Sequence, residues 1–400
     1  MISKINHHTY TSMKKIRIGC IITPYFDEEI SKEELIDINK KQRPWLTNVP
    51  SEYTIEHKNK SWVSYDISIL LYLQNRYGAE YDFIPIMGND KNIYKEVQSC
   101  SMVFLLIFDK LEAYHVLSKQ EYQRIENVFS RDNIFPPAAF QMLINYKNEY
   151  YEYLKEKNVS VLPMMVVKSE EIKEDREEII EKLSALPKGD GGKIIGKPIF
   201  GQESIDFEIF EKDRMYKINK YLERIASLYE GCIFQPYIKA LQTNGEWRVF
   251  FIGNQFVYMV RTILNEYKAT LIDPAKEKNY DKLLAFAKKV FHALPGLELF
   301  GRPVERLLTR IDIGCCQGDM DGGYFVSEVE FVPSIYFDVP EVQKLQMDKK
   351  ISEQIIHIIR QVDFPRYNMT IQKNQDRSRL ILVLVLVVIL AIIKIYRSWK

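Results

Sequence analysis

Over the first third of the chain, short apolar runs alternate with stretches of helical spacing. Residues 16–23 (IRIGCIIT) are almost wholly apolar and close at Pro24, the signature of a buried strand. After a long polar stretch, Ile67, Leu70, Leu71 and Leu73 fall at helical spacing within residues 65–76. Residues 81–86 and 102–108 are two more apolar, strand-like runs. Strands alternating with helices predict an open α/β domain over residues 14–135.

Phe135-Pro136-Pro137 marks a boundary. Beyond it the pattern predicts a helix at 138–157, a short strand at 161–167 and a charged helix at 170–186. The turn Lys188-Gly189-Asp190-Gly191-Gly192 leads into a strand at 193–197. A helix at 214–229 precedes apolar strands at 232–238, 247–252 and 255–261. A helix at 280–294, strands at 308–313 and 324–331, and a last helix at 339–362 complete a mixed α+β region, expected as one domain over 136–365.

Residues 366–379 read as a polar linker, and the pattern then changes. From 380 to 393 (LILVLVLVVILAII), fourteen residues carry no polar side chain. As a helix they would span roughly 21 Å, against an apolar bilayer thickness of about 30 Å. Snorkelling of Lys394, with Ile395 and Tyr396 beyond it, lengthens the usable span. The expectation is a single membrane anchor over 380–396, with a buried strand as the alternative. The N-terminal MISKINHHTYTSMKK has no apolar core of a signal peptide, so the catalytic part is expected on the cytosolic side. Basic residues flank the apolar run on both sides, so the positive-inside rule sets no orientation.

Composition narrows the picture a little further. Four hundred residues, 46% hydrophobic and 12% aromatic, suit two or three packed domains rather than disorder. A net charge of +1 supplies no electrostatic reason to expect a nucleic-acid partner. The five cysteines are scattered and form no CxxC pair, which fits reduced thiols rather than a zinc site.

The strongest local chemistry is Arg310-Ile311-Asp312-Ile313-Gly314 followed by Glu328-Val329-Glu330. Alternation puts Arg310 and Asp312 on one strand face and both glutamates on one face of another. If these strands pair, three carboxylates converge and need cations; hard oxygen donors suit Mg²⁺ arriving with nucleotide phosphates. Spacing alone leaves an outward-facing charged stripe equally open. Lys197-Pro198 ends a strand before Ile199-Phe200-Gly201-Gln202-Glu203-Ser204, where an ammonium and backbone N–H groups could meet phosphate. Glu246, Arg248 and Arg261 place further charge at the ends of apolar strands.

In their order, these pieces resemble the ATP-grasp superfamily from about residue 133 to 334, especially its branch similar to glutathione synthetase and D-alanine–D-alanine ligase. Lys147, ahead of Asn158-Val159-Ser160-Val161-Leu162-Pro163, looks like the family's first phosphate-binding lysine, and Lys197 like its second. Phe234-Gln235-Pro236-Tyr237-Ile238 is similar to the adenine-binding hinge. Glu246, Arg248 and Arg261 match the Gly-acid-x-Arg strand and the arginine closing the next one. Asp312, Glu328 and Glu330 match the Mg²⁺ ligands, with Arg310 before them. Glu330 stands where asparagine is frequent, but Glu330-Phe331-Val332-Pro333-Ser334 is similar to ligases that form cycloserine-like products. The loop after Lys197 holds one glycine where the family has several.

The resemblance implies an N-terminal pre-ATP-grasp domain followed by an ATP-grasp domain that uses ATP and two Mg²⁺ ions. Lys147, Lys197, Gln235, Tyr237, Ile238, Glu246 and Arg248 would hold the nucleotide; Arg310 and Arg261 would face charge developing at the acyl centre. The implied reaction passes the γ-phosphate to a small-molecule or peptide carboxylate, and an amine or thiol then displaces phosphate. A small-molecule kinase and a non-catalytic ATP-binding scaffold are the alternatives. No protein nucleophile is required, so Cys315 and Cys316 are expected only to begin the hairpin loop. A homodimer is the implied assembly.

Overall fold

The computed structural model describes residues 15–22, 35–38, 42–57, 59–88, 90–106, 126–187, 189–200, 206–211, 215–263, 268–316 and 323–362. The first apolar run is β1 (Ile16–Ile22). A strand apolar on both faces requires cover on both, which a parallel sheet provides. β2 (Leu35–Asp37), β3 (Ile55–His57) and β4 (Lys60–Ser64) form a small antiparallel sheet in the order β2-β4-β3. β4 runs directly into α1 (Tyr65–Tyr77). β5 (Tyr81–Met87), α2 (Ile93–Ser99), β6 (Met102–Leu105) and β7 (Ile134–Phe135) complete a parallel sheet ordered β5-β1-β6-β7.

Three long helices expected from spacing are each broken once. The first is α3 (Ala138–Asn145) and α4 (Lys147–Glu156), because Tyr146 between them is extended and bridges Phe200. After β8 (Met165–Lys168), the second is α5 (Ser169–Glu174) and α6 (Arg176–Ala185). Asp175 leaves the helical conformation to cap α6, its carboxylate accepting the Glu178 N–H at 3.0 Å. β9 (Lys193–Pro198), β10 (Glu208–Glu211), α7 (Met215–Leu228) and β11 (Gly231–Pro236) follow. The resulting antiparallel sheet is ordered β10-β9-β11-β8, with one face packed on α7 through Phe210, Tyr221 and Phe234.

The largest sheet is antiparallel and ordered β14-β13-β12-β17-β18. Past α8 (Lys239–Thr243) come β12 (Glu246–Ile252), β13 (Gln255–Ile263) and β14 (Lys268–Leu271). α9 (Tyr280–Ala293) covers one face, with Phe291 stacked on Phe251 at 4.5 Å. A short hairpin, β15 (Leu297–Leu299) and β16 (Arg302–Val304), leads to β17 (Leu308–Cys315) and β18 (Tyr324–Glu330).

The third broken helix is α10 (Pro340–Lys344) and α11 (Met347–Gln361), separated where Gln346 takes a left-handed conformation. α11 packs on α1 and is tied to the N-terminal region through Asp348. That buried carboxylate accepts from Arg43 Nε at 2.7 Å and from the Ser68 hydroxyl at 2.6 Å. The expected linker (366–379) and anchor (380–396) lie outside the described residues. Among the described residues, no helix is long and apolar enough to cross a membrane.

Candidate functional site

Register decides which charges meet. β17 pairs with β18 so that Arg310 lies opposite Glu330 and Asp312 opposite Glu328; β12 pairs with β17 so that Arg248 lies opposite Asp312. Directly opposed residues of antiparallel strands share a face. Asp312, Glu328 and Glu330 therefore converge, each offering an oxygen within 4.8 Å of the others'. Asp312 is only 1% exposed and Arg310 3%. Convergence, not an outward stripe, is what the fold builds. A bulge between Asp312 and Ile313 leaves Ser327 without a partner across the ladder, next to Glu328.

Buried carboxylates at this density need cations. Arg310 donates to Asp312 through Nε at 2.8 Å and Nη2 at 2.9 Å, and Nη2 also reaches Glu330 at 2.6 Å. Arg248 lies 3.5 Å from Asp312 and 3.4 Å from Glu246, and it donates to the Tyr336 hydroxyl. Lys147, at the first position of α4, pairs with Glu328 at 2.9 Å. Lys197 donates to the Tyr151 hydroxyl at 3.1 Å.

These neighbours pull the two glutamates apart. Burial alone would raise the Glu328 carboxyl, but Lys147, Arg310 and Lys197 hold it down at about 2. Burial raises Glu330 to about 8 against the pull of Arg310, and repulsion from Glu328 and Asp312 adds to the rise. Burial also raises Glu246 and lowers Lys197. Hard oxygen donors so close that one resists ionisation fit a divalent cation of the Mg²⁺ kind.

The smaller sheet supplies the neighbouring wall. Lys197 and Ile195 share one face of β9; Gln235 on β11 and Ile209 on β10 lie opposite Ile195 and extend that face. Gln235 is buried, and its side-chain Nε2 has no hydrogen-bond partner among the described residues. An apolar face with one unsatisfied amide fits a flat heterocycle with polar edges. Tyr237 donates its N–H to the Lys193 carbonyl at 3.2 Å, and its own carbonyl accepts from Asp190 at 2.8 Å. The turn can come so close because residue 189 is glycine: a Cβ there would lie 1.9 Å from the Tyr237 carbonyl oxygen. Ile238 stands just ahead of α8, and its carbonyl accepts from Leu241. In the loop after Lys197, Ile199 and Phe200 are buried, and residues 201–205 lie outside the described residues.

No protein-family model and no curated protein sequence matches this chain. Solved structures do. D-cycloserine synthetase DcsG is similar over 72% of this chain and 94% of its own, with 16% identity and a TM-score of 0.53. VanG D-Ala:D-Ser ligase from Enterococcus faecalis is similar over 85% and 99%, with 12% identity and a TM-score of 0.52. D-alanine–D-alanine ligase from Bacillus anthracis is similar over 86% and 97%, with 14% identity and a TM-score of 0.50. The chain has the ATP-grasp fold.

Within the ATP-grasp fold, the twelve expected site residues all lie on the two antiparallel sheets or on the α4 and hinge segments beside them. Arg261 does not join the charged face. It lies opposite Trp247, not Arg248, and its guanidinium sits over the Trp247 ring at 5.4 Å while donating to the Asn244 carbonyl. The cause is a bulge. From the turn, Ile252 pairs with Gln255 and Phe251 with Phe256; Phe250 then pairs with Tyr258, leaving Val257 extra. Were the ladder regular, with Val257 opposite Phe250, Arg261 would oppose Glu246 on the charged face; because Val257 is bulged out, Arg261 falls on the other face.

Two tyrosines absent from the expected set do belong to the site. Tyr151 follows Lys147 by four residues, so helical spacing alone places both on one side of α4. Tyr336 carries no comparable signal, because a left-handed turn (φ +63°) brings it beneath Arg248.

Proposed function

We propose that this protein is an ATP-dependent ligase that activates a carboxylate as an acyl phosphate and joins it to an amine or thiol. The observation that carries the reading is the meeting of two lysines, from α4 and β9, with three carboxylates on β17 and β18. Phosphoryl transfer asks a protein mainly for positioning and charge neutralisation, and this constellation offers both. The names of similar structures, two D-alanine ligases and a D-cycloserine synthetase, support a small amino-acid-like carboxylate.

Lys147 and Lys197 bind the triphosphate, with Lys147 exchanging its Glu328 partner for a phosphate oxygen. Gln235 and the hinge through Tyr237 and Ile238 receive the base, and Glu246 and Arg248 orient the nucleotide beside them. Asp312, Glu328 and Glu330 are the residues that would hold Mg²⁺, whose charge would offset that of the nucleotide phosphates. Arg310, locked by two acids, presents a fixed positive charge to the transferred group. The chain needs no nucleophile of its own for this chemistry.

ADP release in Mg²⁺ that requires both a carboxylate and an amine, with an amide as product, is the expected result. Asp312→Asn should lower that rate at least about 100-fold; equal activity in the variant overturns the proposal. A stable phosphorylated product without amide would instead make the protein a kinase on the same fold. We further propose that residues 380–396 hold the protein on a membrane, on the strength of the fourteen-residue apolar run. Truncation after Arg377 should move the protein to the soluble fraction, and retention on membranes overturns that assignment.

A further inference from the structure

Tyr151 belongs to none of the motifs that resemble a known family, yet it touches both halves of the site. It is buried, 1% exposed, on the same side of α4 as Lys147. Its hydroxyl accepts a hydrogen bond from Lys197 Nζ at 3.1 Å and donates its one proton to the Ser327 carbonyl. Its ring lies beneath the same ammonium, with Nζ 5.2 Å from the centroid. Ser327 is the bulged residue of β18, immediately before Glu328. A single side chain thus joins the sheet that carries Lys197 to the strand that carries two of the three carboxylates.

The helix behind it is fixed to the same strand end. The Lys147 N–H donates to the Ile199 carbonyl at 2.7 Å, and Tyr146 bridges Phe200. These two ties place α4 against the end of β9, so Tyr151 sits at a set distance from Lys197. A lysine side chain has four free torsions, and an unheld ammonium in a buried cleft must be both ordered and desolvated when a ligand arrives. A hydroxyl acceptor and a ring face meet both costs beforehand.

We infer that Tyr151 is the positioning residue for Lys197, holding its ammonium toward the carboxylate cluster before nucleotide enters. The inference rests on the nucleotide-binding reading above. Because the contact exists before binding and persists afterwards, it acts as uniform binding: its loss raises Kd and KM and leaves kcat nearly alone.

The test uses the full chain and Mg²⁺-ADP in titration calorimetry, with steady-state ATP turnover alongside. Tyr151→Phe keeps the ring and removes the hydroxyl. Kd for ADP and KM for ATP should rise roughly tenfold, the value of one hydrogen bond to a charged group, while kcat changes less than about threefold. In a Lys197→Met background the same substitution should weaken ADP binding no further, since the hydroxyl acts only through Lys197. An unchanged Kd in folded Tyr151→Phe overturns the inference while leaving the ligase reading intact. So does an equal loss in the Lys197→Met background, or a fall in kcat at constant Kd. Failure of the wild-type protein to bind Mg²⁺-ADP removes the ligase reading itself, and this inference with it.

Discussion

β1 and β17 are both buried strands, but they use burial differently. In β1, alternate residues feed two separate cores: Ile18, Cys20 and Ile22 join the main one, and Ile21 packs with Ile86 and Val103 in another. Both faces are committed to packing, so any chemistry of the parallel sheet must come from the ends of its strands. In β17 one face, with Ile311 and Ile313, enters the core, while Arg310 and Asp312 on the other are equally buried and charged. That face is tolerated because Arg310 pairs with Asp312 and Glu330 and Arg248 lies beside Asp312. Burial alone does not mark a core; the partners of the buried groups do.

The comparison is broken most forcefully at Arg310. Arg310→Met would leave Asp312 and Glu330 buried without their shared cation, at a cost of about 3–5 kcal/mol. Denaturant unfolding should record that loss, and ATP turnover by the remaining folded protein should disappear. Ile18→Ala in β1 should cost about 2–4 kcal/mol through its cavity. Here the folded fraction should keep its Kd for Mg²⁺-ADP, because β1 supplies no charge to the site. A binding defect in Ile18→Ala, or full stability in Arg310→Met, would erase the distinction between the two strands.

A smaller effect separates the two glutamates by pH. Glu330 sits at about 8 in the folded protein and near its ordinary 4.5 when unfolded. Between those values the folded state holds a proton that the unfolded state has lost, so this residue makes stability fall as pH rises from about 4.5 to about 8. Glu328, held at about 2, works the other way: its contribution is present above about 4.5 and is lost as pH falls toward 2. Glu330→Gln should therefore gain stability over wild type more at pH 8 than at pH 5, measured as a difference in Tm. A constant difference would mean that burial and Glu328 do not raise this carboxyl.

How far the sequence foretold this site follows from which features are local. The alternation Arg310-x-Asp312 and Glu328-x-Glu330 is local, so the shared face is legible, though not whether it turns inward. The helix breaks at Tyr146 and Asp175 are not: one is imposed by Phe200, fifty-four residues away, and the other by a cap inside a run of good helix formers. β2, β3 and β4 show no clean period of two in LID, IEH and KSWVS, and they take shape only as neighbours. Tyr151 was within reach, since its spacing from Lys147 is helical, but nothing local tells that its partner is Lys197.

Arg261 is the sharpest case, because there the residue type and order match the expected pattern and the face is wrong. Parity along a hairpin is preserved only while the ladder is regular, and the extra residue at Val257 reverses it. The resulting contacts are a ring and a carbonyl at the sheet's margin, not an acid. Arg261→Ala should cost about 0.5–1 kcal/mol of stability, the worth of a cation–π contact. ATP turnover should stay within about threefold of wild type, as for substitutions away from charged networks. Glu246→Ala and Arg248→Ala, on the charged face of the neighbouring strand, should each weaken ATP binding by tenfold or more, about the value of a charge-assisted hydrogen bond. A loss of two orders of magnitude in turnover for Arg261→Ala would place its guanidinium beside Glu246 after all, and would require β13 to run without its bulge when substrate is bound.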